Sequence, residues 1–88
     1  MLSVSVVDYI GKIKDGLAIL MSLNVDDKIY ELIFWFNRTL NYTLTVDEKL
    51  LTDLGLDSIY DYPHTDKLID LIFKSLPPVK DLFKEFNI

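Results

Sequence analysis

The residues best placed to do chemistry stand together in Asp53-Leu54-Gly55-Leu56-Asp57-Ser58-Ile59. Ser58 puts a hydroxyl directly after a carboxylate, at a point where the local sequence predicts a helix start. It can therefore serve as a helix cap or as a covalent attachment point. Gly55 suits the left-handed position that ends a preceding helix. The rest of the chain supplies little catalytic material. His64 is the single histidine and has no motif around it, so it is expected as an exposed residue at a helix start. Asp26-Asp27 and Asp47-Glu48 stand where helix starts favour negative charge. There is no cysteine, which excludes disulfides and thiolate metal sites. Neither an EF-hand spacing nor a Gly-rich phosphate loop occurs. A non-enzymatic protein is expected.

Charge narrows the choice of partner. Of the 14 acids and 9 bases, residues 44–66 hold Asp47, Glu48, Asp53, Asp57, Asp61 and Asp66 against Lys49 alone. That segment equals the whole formal net charge of −5. A nucleic-acid partner is not expected, because phosphate binding needs the opposite sign; basic surfaces of partner proteins are. The longest apolar runs, Leu17–Met21 and Leu32–Phe36, fall far short of the ~20 residues that cross a bilayer. No basic stretch leads into a long apolar one at the N-terminus, so the expectation is a soluble cytoplasmic protein with no membrane span. The sequons at Asn37 and Asn41 are taken as chance.

The elements that must position these residues are expected to be helices. Val6, Ile10, Ile13, Leu17 and Leu20 recur at 4-3-4-3 spacing, which predicts a helix from Val4 to about Leu23. Ser3-Val4-Ser5-Val6 also fits a short strand, and Gly11 and Gly16 each weaken the helix by up to ~1 kcal/mol. Asn24 then caps a second helix whose stripe is Ile29, Leu32, Ile33, Phe36 and Leu40. Tyr30, Phe34 and Trp35 widen it into a central helix or an interface. Thr45 and Glu48 fit a capping box for a short helix to Leu54. Pro63 limits the segment after Ser58 to one turn or delays the next helix. Thr65 is the expected cap of Asp66–Leu76, which Pro77-Pro78 ends, and Val79–Phe86 closes the chain. The expected fold is an all-α bundle of four to five short helices forming one domain, residues 1–88.

Asp53–Ile59 resembles the phosphopantetheine-attachment motif of acyl and peptidyl carrier proteins. Leu44–Thr52 is similar to that family's loop before the motif, Val25–Ile33 to its first helix, and Pro77 to a proline after its second long helix. The resemblance spans 25–77, leaving 1–24 as an extension helix and 78–88 as a short C-terminal one; Ser3–Ile10 loosely resembles a carrier's last helix. It implies a covalent 4′-phosphopantetheine on Ser58, with Asp57 beside it, and docking charges at Asp57, Asp61 and Asp66. The partners implied are a phosphopantetheinyl transferase and synthase enzymes. Where that family continues in one helix, this chain has Tyr60-Asp61-Tyr62-Pro63-His64. Asp57–Pro63 in turn resembles the tyrosine-rich short helix of colicin-type nuclease immunity proteins. That implies an acidic interaction protein that blocks a toxin, anchored by Tyr60 and Tyr62 among the aspartates.

Overall fold

Alternation, rather than a helical period, organises the first half of the chain. The computed structural model describes all 88 residues, Met1–Ile88. Four strands, β1 (Leu2–Ile13), β2 (Gly16–Val25), β3 (Lys28–Asn37) and β4 (Tyr42–Val46), form an antiparallel meander in the order β1-β2-β3-β4. Then come α1 (Glu48–Leu54), a single 3-10 turn at Ile59–Asp61, α2 (Thr65–Ser75) and α3 (Val79–Glu85). The all-α bundle expected from the sequence is therefore corrected to an α+β fold of one sheet and three short helices. The two N-terminal helices are strands, and residues 1–24 are β1 and most of β2.

The side chains explain why. Leu17, Ile19, Met21 and Leu23 on β2, and Tyr30, Leu32, Phe34 and Phe36 on β3, all point to one buried face. Period-two placement of this kind belongs to a sheet with one face on a core. The β1–β2 and β2–β3 links leave only two residues between paired positions. Asp26 and Asp27 in the second link both have positive φ, 50° and 70°, as a type I′ hairpin turn requires. Asn24 Oδ1 braces that turn by accepting from Asp27 N at 3.0 Å. The aspartates expected in a first helical turn are thus hairpin residues.

Two register shifts, between Val6 and Asp8 and between Tyr9 and Gly11, bulge β1. They stretch its inward positions to Val6, Tyr9 and Lys12, a spacing of three that imitates a helix. The helices cover the inner face only: Leu50, Leu68, Ile72, Leu76, Leu82 and Phe83 join the strand residues and Ile59 in one core. Phe73 of α2 stands edge-on to Phe34 and Phe36, with ring centroids 5.3 and 5.7 Å away.

On the opposite face the Trp35 indole reaches across β2 to donate its Nε1–H to Ile13 O at 2.9 Å. It lies on Gly16. A Cβ at Gly16 would come within 2.5 Å of Trp35 Cε2 and 2.4 Å of Phe36 O, so this glycine is required for space. Gly16→Ala is expected to destabilise the protein by about 1–3 kcal/mol. A lowered thermal midpoint, with a shifted emission from the sole tryptophan, would show it; unchanged emission would mean that the indole does not rest there.

Candidate functional site

The acidic segment is held by short-range caps and one long-range hydrogen bond. Helix α1 starts at Asp47, whose carboxylate accepts from Lys49 N at 3.0 Å. Thr45 lies within β4, so the expected cap moves two residues. Gly55 ends α1 in the left-handed region at φ 68° and donates its N–H to Leu51 O and Thr52 O, as its place in the sequence predicts. Ser58 also caps, but only three residues: its Oγ accepts from Tyr60 N at 3.2 Å. Both outcomes foreseen for Pro63 occur: the segment after Ser58 is a single turn, and the next helix starts beyond the proline, at Thr65.

Ser58 is half-buried, Asp57, Asp61 and Asp66 are exposed, and Tyr60 is 52% exposed. Tyr60 lies along the edge of β4, where its hydroxyl accepts from Leu44 N at 2.8 Å. The tyrosine thus satisfies an edge-strand donor while its ring faces solvent. Tyr62, expected beside it as a second anchor, is instead half-buried and packs on the core. Its ring meets His64 edge-on at 5.4 Å. His64 is exposed at the start of α2 and makes no side-chain capping bond. Thr65, expected as the cap, is the first helical residue. Its Oγ1 donates to Ile59 O and Tyr62 O at 2.8 and 2.7 Å, which locks the 3-10 turn onto α2.

Asp53, the first residue of the serine motif, has a structural task that its position does not advertise. It accepts from the Tyr30 hydroxyl at 2.7 Å, tying α1 to β3. This bond first, then burial and the negative charges of Asp53 and Asp47, push the Tyr30 phenol up to about 12. At the neighbouring hairpin the Met1 ammonium bonds Asp26 and holds its carboxyl below the ordinary range.

Two hollows mark the opposite ends of the sheet. One of about 400 Å3 includes Leu2, Val25, Leu54, Tyr62, His64 and Lys67. The other, about 410 Å3, gathers Lys12, Lys14 and Arg38 around the C-terminus. There Arg38 Nε donates to Ile88 O at 2.7 Å, and the guanidinium lies 5.4 Å from the Phe83 ring centre. Sequence reasoning missed this basic end because Lys12 and Lys14 come from β1 and its turn, and Arg38 from the separate β3–β4 loop. No group of three His, Cys, Asp or Glu side chains converges as a metal site, and no helix is long and apolar enough to cross a membrane.

Because the Tyr30 phenol is raised above its ordinary value of 10.0 to about 12, its bond to Asp53 stabilises fully below pH 10 and is lost as pH rises through 12. Wild-type stability should therefore fall more steeply between these values than that of Tyr30→Phe. Urea titrations of both proteins across the window test this; parallel curves would show that the bond does not persist in solution. Compared with protein-family models, curated proteins and solved structures, the chain matches no family model, no curated protein and no solved structure.

Proposed function

We propose that this chain is a non-catalytic interaction protein that docks an acidic, tyrosine-centred ridge onto a basic protein surface. The observation that carries this reading is the 3-10 turn at Ile59–Asp61. It exposes the Tyr60 ring, with Asp57 and Asp61 exposed close to it in the chain. Three anchors hold the turn: the Ser58 cap, the Thr65 hydroxyl and the Tyr60 hydroxyl on Leu44 N. An aromatic ring held in this way loses little freedom on binding, which is what makes a good anchor. The surrounding acids steer a basic partner and suppress acidic ones. Inhibition of a basic toxin or nuclease, as the immunity-protein resemblance implies, falls within this class, with Tyr60 rather than Tyr62 as the anchor.

The carrier reading rests on the sequence motif. A carrier serine would precede a helix long enough to dock partner enzymes, whereas Ser58 precedes a three-residue turn closed by Pro63. Intact mass after incubation with coenzyme A and a broad-specificity phosphopantetheinyl transferase separates the two readings. No gain is expected. A gain of one phosphopantetheine arm that Ser58→Ala abolishes would restore the carrier.

The interaction reading is tested by affinity capture from the native cell, with quantitative binding of whatever is recovered. The partner should be basic, and its affinity should fall with salt. Tyr60→Ala should weaken it at least ~30-fold, the scale of a central interface anchor, and Asp57→Lys with Asp61→Lys should slow association. Tyr60→Phe should keep the binding while costing about 1 kcal/mol of stability, for the lost bond to Leu44. A partner whose affinity ignores all of these changes would sink the proposal.

A further inference from the structure

The sheet face turned away from the helices has no cover within the chain. Strand register lines up two rows across it, Gly11–Ala18–Trp35–Thr43 and Asp8–Leu20–Ile33–Thr45. Ile33 is 38% exposed and Ile29, on the same face, 71%. Aliphatic and aromatic residues on the open side of a two-layer fold mark an interaction surface.

We propose that this face is the interface of a symmetric homodimer, in which two copies stack their sheets. The edges of the sheet do not offer the alternative of strand-to-strand growth. Two bulges kink β1 and α2 packs along it; β4 is five residues long, with Leu44 N bonded to Tyr60. Such features close an edge to pairing.

Charge distribution favours a second copy as the occupant. Glu48, Asp53, Asp57, Asp61 and Asp66 belong to the helical layer and its links, so stacked sheets keep them apart. Asp8 and Glu31 are the only charged residues at outward ladder positions, which offers little to a basic partner. Lys14 lies at the turn end of this face, beside Ile13, Ala18 and Trp35, and Glu31 stands toward the other end. A two-fold axis running across the strands lays the basic end of each copy on the acidic end of the other, the self-complementarity that a symmetric dimer needs.

The size also fits. Strand spacing and rise give the face a flat footprint of roughly 600 Å2. The corrugated accessible surface is larger, near the ~800 Å2 per partner of a standard stable interface.

Sedimentation equilibrium on the full chain decides the matter. A dimer is expected, with Trp35 emission shifting to the red on dilution as the indole meets water. Ile33→Lys and, on the adjacent strand, the exposed-site change Thr45→Arg should each weaken the dimer at least ~30-fold. Circular dichroism should confirm the sheet in both. Asp61→Lys, in the helical layer and on the proposed docking site, should leave the dimer unchanged, so failure of either proposal is visible separately. A wild-type chain still monomeric at ~1 mM, where a dissociation constant of that order would half-fill the dimer, overturns the inference. So does a dimer that both face variants leave at wild-type strength.

Discussion

Four phenylalanine rings join the sheet to its helices, and the rest of the architecture depends on that junction. Phe34 and Phe36 stack along β3 at 5.4 Å. Phe73 from α2 meets both edge-on, and Phe83 from α3 packs on Phe36 at 5.3 Å. Aromatic pairs of this geometry contribute roughly 0.5–1.5 kcal/mol each beyond the area they bury. Phe34 and Phe36 are two residues apart, so both can face the helices only if their backbone is a strand. With one helical layer available, that choice fixes which face of the meander is inner and leaves the other to solvent.

The open face also explains why the fold was only half legible in the sequence. A strand with one wet face advertises itself by polar residues at alternate positions. Here β3 carries Ile29, Ile33 and Trp35 at those positions, so Leu32–Phe36 is an unbroken apolar run with no alternation to see. Ile29, Leu32, Ile33 and Phe36 then fit a helical stripe although they divide between two faces of the sheet. On β1 the bulges add the same confusion. The paired alternation Leu17-Ile19-Met21-Leu23 and Tyr30-Leu32-Phe34-Phe36, with a two-residue acidic link between them, is the signal that carried the correct answer. Downstream of Val46 the sequence was far more readable. Gly55, Pro63 and Pro77-Pro78 punctuate the chain locally, and their effects do not depend on which strand pairs with which.

In the serine motif, local structure draws on the same residues as the carrier resemblance. Asp53 bonds Tyr30, Gly55 takes the left-handed position, Ile59 is buried, and Ser58 caps the 3-10 turn. Four of the seven residues that carry the carrier resemblance thus have work in closing α1, capping the 3-10 turn or joining them to the sheet and core. The Gly55 and Ser58 caps were legible locally, but the Asp53 bond was not, because it depends on Tyr30 lying on a strand that faces α1. Helix and turn caps draw on the same small set of Asp, Ser and Gly, so a cap-turn-cap sequence and an attachment motif overlap in composition.

Polar residues complete the division between inner and outer faces. Asn37, 7% exposed, is the one buried polar side chain, and its partners come from both turns at its end of the sheet. Its Nδ2 donates to Asp15 Oδ2 at 3.1 Å, while Oδ1 accepts from Thr39 N, Thr39 Oγ1 and Asn41 N. A buried amide with this many partners is expensive to break; it pins the β3–β4 loop, with Leu40 at φ 61°, against the β1–β2 turn. That clamp keeps Lys14 and Arg38 at one end of the sheet. At the other end Asp47 donates its backbone N–H to Glu31 O, and Tyr30 meets Asp53. Different hydrogen bonds close the two ends of the sheet. The acidic segment and the apolar face thus belong to separate layers.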